Sequence, residues 1–84
     1  MDALDGNAIG GLLIEIFGAE MTTASAECAN CGAFAVVAEA TVYLQAPGTV
    51  ARCRTCDSVL MVVVERRETK CVDLRGVARM EPAA

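Results

Sequence analysis

The sequence predicts a small, metal-stabilised, mainly β fold built from antiparallel hairpins, with one amphipathic helix at its N-terminus. Three observations carry this expectation. Two Cys-x-x-Cys pairs, Cys28/Cys31 and Cys53/Cys56, are spaced so that four thiolates can close one tetrahedral site. The chain has 84 residues, and a domain of that size buries too little surface to be comfortable without a staple. Residues 5–17 carry a helical apolar period, whereas the segments around and after the cysteine pairs alternate with the period of two that marks strands.

The helix comes first. Ile9, Leu12, Leu13, Ile16 and Phe17 recur at i, i+3, i+4, i+7 and i+8, which places them on one face of a helix over residues 5–17. Asp5 suits the N-cap, Leu4 and Ile9 occupy the two positions of a hydrophobic staple, and Gly18 can end the helix in a left-handed cap. Gly10 and Gly11 each cost about 0.5–1 kcal/mol relative to Ala, so the helix needs a surface to pack on. That surface is the sheet.

Strands are expected over residues 21–26, 34–45, 49–52, 59–66 and 70–74. In the long strand Phe34, Val36, Ala38, Ala40, Val42 and Leu44 share one face, and Val37, Glu39, Thr41, Tyr43 and Gln45 share the other. Ala46-Pro47-Gly48-Thr49 is the reversal that returns the chain towards Cys53. Twenty-one residues separate Cys31 from Cys53, enough for a hairpin whose ends bring the two pairs together. The segment Val59, Leu60, Met61, Val62, Val63, Val64 is apolar on both faces, and a single helix covers only one. Either it is a central strand beneath helix and tail, or it pairs with another chain as a homodimer or with a protein partner. Residues 1–84 read as a single domain, with the hairpin unit over 21–74 and a loosely held tail over 76–84.

Each Cys-x-x-Cys segment forms a tight turn that aims two sulfurs at one point. The residue after the second cysteine needs a left-handed conformation, which Gly adopts freely and Asp tolerates; Gly32 and Asp57 stand there. Cys28, Cys31, Cys53 and Cys56 are therefore the expected ligands of one zinc ion per chain. Structural zinc contributes about 10–16 kcal/mol in zinc-finger peptides. Disulfides, the rival staple, belong to secreted proteins. The N-terminal residues lack the basic region of a signal peptide, and no apolar run reaches the roughly 18 residues of a membrane span. A reducing cytoplasm and no membrane association are expected.

Charge argues against nucleic acid. The net charge is −4, and residues 1–51 hold six acids and no base. Duplex binding gains most of its affinity from phosphate neutralisation, which this balance opposes. Arg52 and Arg54 bracket Cys53, where they can offset a negative metal-thiolate centre, and Arg66, Arg67 and Lys70 cluster at the second hairpin. The chain has no histidine, so the commonest general base is missing and four thiolates leave no open metal position for water. No enzymatic activity is expected. Cys71, outside the paired spacing, reads as a small, partly buried side chain on the face of Asp73 and Arg75, with a reactive thiol near Lys70 and Arg75 as the alternative, and not as a ligand.

The two turns, Cys-Ala-Asn-Cys-Gly and Cys-Arg-Thr-Cys-Asp, resemble those of the zinc-ribbon group of folds over residues 21–74. Through Leu4-Asp5-Gly6-Asn7-Ala8, Ile16-Phe17-Gly18-Ala19-Glu20-Met21-Thr22, Tyr43-Leu44-Gln45-Ala46-Pro47-Gly48 and Asp73-Leu74-Arg75-Gly76, nearly the whole chain resembles a family of small uncharacterised bacterial proteins. The first resemblance implies cysteine-bound zinc in a macromolecular assembly. With residues 59–64 or the helix face available to a protein partner, the leading expectation is a non-enzymatic protein-protein adaptor, with rubredoxin-like single-iron electron transfer and zinc-thiolate redox sensing as alternatives.

Overall fold

The computed structural model describes residues 4–45 and 48–82. They form two sheets and one short helix near the N-terminus. β1 (Leu4–Asp5) leads into a 3-10 turn (Gly6–Ile9) and then α1 (Gly10–Phe17). β2 (Ser25–Cys28), β3 (Phe34–Val36), a second 3-10 turn (Val37–Glu39), β4 (Thr41–Gln45), β5 (Gly48–Arg52), β6 (Val59–Arg66), β7 (Thr69–Asp73) and β8 (Val77–Glu81) follow. The larger sheet has the order β1-β4-β5-β6-β7 and the smaller one β3-β2-β8. No described helix is long and apolar enough to cross a membrane.

The helix starts later than residue 5. Asp5 does cap, its Oδ1 accepting from the Asn7 N–H at 3.1 Å, but the turn it caps is 3-10. Leu4 and Asp5 are held extended by pairing with Val42 and Thr41, so regular helix begins only at Gly10. Leu4 is exposed instead of stapled to Ile9. The C-terminus ends as the sequence indicates: Gly18 takes φ +73° and its N–H donates to the Ile14 carbonyl at 2.7 Å.

The long strand expected over residues 34–45 is two strands in different sheets. The chain turns at Val37–Glu39, where Val37 N–H donates to Ala24 O at 2.8 Å and Ala38 N–H to Thr22 O at 2.9 Å. Val37 is buried there and Phe34 exposed, against the expected face, whereas Ala40 and Val42 are buried as expected and Leu44, near the end of β4, is exposed. Ala46 and Pro47 of the expected reversal lie outside the described residues, and Gly48 already belongs to β5, opposite Gln45.

The tail is also corrected. Val77–Glu81 is a strand rather than a loose end, because β8 pairs along β2 from Ser25 to Cys28. Arg79 places its guanidinium over the Phe34 ring at 4.9 Å and pairs with Glu27, fastening β8 to β2 and, across it, to β3.

Ile9 and Leu13 join Val42, Ala51, Met61 and Val63 of the larger sheet and Ala26 of the smaller one in a single core. Leu12, Ile16 and Phe17 pack against it from the predicted helix face. In β6, Met61 and Val63 point into this core and are 3% and 1% exposed. A register irregularity between Ala51 and Arg52 lets Leu60 also pack partly against the core. On the other face of the larger sheet Tyr43, Val50 and Val62 stand in register, with Val64 in the next row, all half-buried.

Candidate metal centre

Both cysteine turns repeat one backbone scheme. In the first, Cys28 N–H donates to Ala33 O at 2.9 Å and Gly32 N–H to Cys28 O at 3.0 Å. In the second, Cys53 N–H donates to Ser58 O and Asp57 N–H to Cys53 O, both at 2.8 Å. Closure of each turn requires a left-handed residue after its second cysteine. Gly32 has φ +79° and Asp57 has φ +64°, at the two positions the sequence assigns. Arg52 reinforces the second turn by donating from its guanidinium to Asp57 O at 2.9 Å.

β2 delivers Cys28 and the end of β5 delivers Cys53, so the two turns meet where the sheets converge. The four sulfurs of Cys28, Cys31, Cys53 and Cys56 all lie within 4.8 Å of one another. Cys28 Sγ is 3.7 Å from Cys56 Sγ, and Cys31 Sγ is 3.7 Å from Cys53 Sγ. A tetrahedron of sulfurs with metal–sulfur bonds of about 2.3 Å has edges of about 3.8 Å. The donor set therefore fits a four-coordinate soft metal ion, and the four cysteines are positioned to hold one. Cys28 and Cys53 are buried, Cys56 is half-buried and Cys31 is exposed, so the cluster sits at the surface with its inner sulfurs against the core. Cys71 is no part of the cluster; it stands on β7 opposite Val64 and is exposed rather than partly buried, because β7 is an edge strand of the larger sheet.

The surroundings of the cluster act on two of the thiols in opposite directions. Hydrogen bonding from the Ser58 side chain, then from Asn30, pulls Cys56 down to about 5. At Cys31 the Ala33 backbone N–H favours the thiolate, but desolvation and the three neighbouring sulfurs outweigh it and push the thiol up to about 12. A divalent cation bound there would offset the crowding of negative charge at the sulfurs, since metal ligation favours the thiolate form.

A family model described as a family of unknown function (DUF6510) matches residues 1–84. The chain belongs to the DUF6510 family. No curated protein and no solved structure matches it.

Sequence reasoning misses three residues around the centre of this DUF6510 chain. Asn30 donates its backbone N–H to Cys28 Sγ at 3.4 Å and its side-chain amide to Cys56 Sγ at 3.5 Å, crossing from one turn to the other. Its place between two cysteines is the only signal. Gly76 accepts the Ala29 N–H at 2.9 Å, tying the first turn to the segment before β8, and nothing in the spacing indicates it. Glu39 takes Arg54 away from the sulfurs: the Arg54 guanidinium pairs with the Glu39 carboxylate at 2.8 Å, so it does not offset thiolate charge by contact.

Proposed function

We propose that this protein is a non-enzymatic zinc ribbon in which one structural zinc ion, bound by Cys28, Cys31, Cys53 and Cys56, locks the two sheets together, and that its larger sheet meets a protein partner. The observation that carries this reading is the pair of 3.7 Å sulfur separations, each running from one turn to the other, which match the edge of a four-sulfur metal tetrahedron. Four protein ligands fill the coordination sphere, so the ion organises the fold and leaves no site for activated water.

A four-sulfur tetrahedron takes zinc or a single iron. Zinc is favoured by the low aromatic content, 4% of residues, and by Asp57 in the position where a glycine follows the first turn. Four thiolates reserved for a metal and a fifth cysteine outside any disulfide suit a reducing compartment, and we propose a cytoplasmic location. The partner surface is the face that carries Tyr43, Val50, Val62 and Val64, which the helix does not cover. Elemental analysis with a visible absorption spectrum of the purified protein tests the metal: a colourless protein with zinc is expected, and a red protein with iron replaces this reading by electron transfer.

A further inference from the structure

We propose that Asn30 is a positioning residue of the metal centre, its side-chain amide binding the two cysteine turns to each other by donating across the site to Cys56. The role rests on the reading of the four-cysteine cluster as a bound-metal site. Three observations support it. The backbone N–H of Asn30 already donates to Cys28 Sγ at 3.4 Å within its own turn, so the residue is fixed by the sulfur it follows. Its Nδ2 then reaches Cys56 Sγ at 3.5 Å in the opposite turn, so one residue touches a thiolate of each pair. The corresponding residue of the second turn, Thr55, donates no side-chain hydrogen bond to a sulfur among the described residues. The bridge therefore runs one way only.

The chemistry explains why a carboxamide serves here. A thiolate is an acceptor, and an amide N–H donated to a charged acceptor is shorter and stronger than one between neutral groups. A carboxylate of the same shape offers only acceptor oxygens and places a second negative charge against the sulfur. Donors to ligand atoms hold the ligand in the orientation the metal needs, and their loss typically costs 10–100-fold in metal affinity. Cys56 gains from such a tether, since it is only half-buried while Cys28 and Cys53 are held in the core.

The test is zinc affinity by competition against a chromophoric chelator, on the full chain, for wild type, Asn30→Ala, Asn30→Asp and Thr55→Ala. Asn30→Asp keeps the shape and turn preference of asparagine, so it separates loss of the donor from loss of the fold. The expected result is about 10–100-fold weaker zinc binding for Asn30→Ala, a larger loss for Asn30→Asp, and no change for Thr55→Ala. The cobalt-substituted Asn30→Ala protein should shift its sulfur-to-cobalt charge-transfer band while keeping tetrahedral d–d bands, which a general loss of stability would not do. If wild type takes up zinc and Asn30→Ala matches it in affinity and cobalt spectrum, the Asn30 role is overturned while the metal reading stands. Equal losses in Asn30→Ala and Thr55→Ala overturn it as well, since any turn substitution then suffices. A wild-type chain that binds neither zinc nor cobalt overturns both.

Discussion

Gly6 packs its α-carbon onto the backbone of Val37: a Cβ at residue 6 would stand 1.9 Å from the Val37 carbonyl oxygen. The same relation recurs at the other end of the chain, where a Cβ on Gly76 would stand 1.8 Å from Val59 O. In each case the obstacle is backbone, which cannot rotate away. Gly6→Ala and Gly76→Ala should each cost about 2 kcal/mol or more, at the upper range for overpacking. A Cβ on Gly11 would meet nothing within 4 Å, so Gly11→Ala should stabilise by about 0.5–1 kcal/mol through helix propensity. Denaturant unfolding at fixed zinc concentration checks all three, and the sign difference between the sites is the decisive result.

The two faces of β6 should respond oppositely to polar substitution. Met61 and Val63 lie in the core, whereas Val62 and Val64 lie on the half-buried outer face. Threonine keeps a strand-compatible shape and removes apolar character. Met61→Thr with Val63→Thr should unfold the protein, since each change puts a hydroxyl into the core and opens space beside it. Val62→Thr with Val64→Thr should leave it folded and zinc-bound while abolishing self-association or partner capture. Unfolding of both variants would remove the outer face as a docking surface.

Truncation after Gly76 should destabilise the smaller sheet. It removes the strand paired with Ser25, Ala26, Glu27 and Cys28 and uncovers Ala26, Met80's neighbour in the ladder. Amide exchange at Ser25 and Glu27, whose N–H groups point towards β8, should accelerate, with a lower denaturation midpoint. Unchanged exchange and midpoint would mean that residues 77–84 are dispensable.

Chelation of the metal should unfold the chain cooperatively. The core is small and rich in alanine, with Ala24, Ala26, Ala40 and Ala51 among its buried residues, and each alanine buries little area. A structural zinc worth about 10–16 kcal/mol is comparable to the whole stability of an ordinary domain. Circular dichroism and amide dispersion should collapse together on zinc removal and return on its addition. Their persistence in the chelated protein would show that packing alone suffices.

Much of this arrangement is legible in the chain itself. The cysteine spacing, Gly32 and Asp57 prescribe the two turns, because a left-handed residue closes each. Ile9 and Leu13 mark the buried helix face, and Gly18 its end, because local periodicity and a local cap decide both. β6 is read correctly to its ends because its unbroken run of mostly β-branched apolar residues is itself a strand signal. The break at Val37–Glu39 is not legible, since the apolar run through Val36, Val37 and Ala38 contains no turn residue, and the partners that bend the chain, Thr22 and Ala24, come from a separate segment. β8 is hidden likewise: Val77, Ala78, Arg79, Met80 and Glu81 make a weak strand signal, and the strand exists because β2 offers it an edge. Gly6 and Gly76 look like ordinary turn glycines until the distant backbone they touch is known. The cysteine cluster follows from sequence, whereas the Asn30 bridge depends on how the second turn is placed against the first.

The most direct measurement of the central claim is metal content by native mass spectrometry and elemental analysis, for wild type, Cys56→Ser and Cys71→Ser. Cys56 lies in the four-sulfur cluster and Cys71 lies exposed on β7, outside it. Wild type and Cys71→Ser should each carry one zinc per chain, and Cys56→Ser should lose the ion or hold it far more weakly. Iron in the wild-type protein, or zinc retained by Cys56→Ser and lost by Cys71→Ser, would contradict the account.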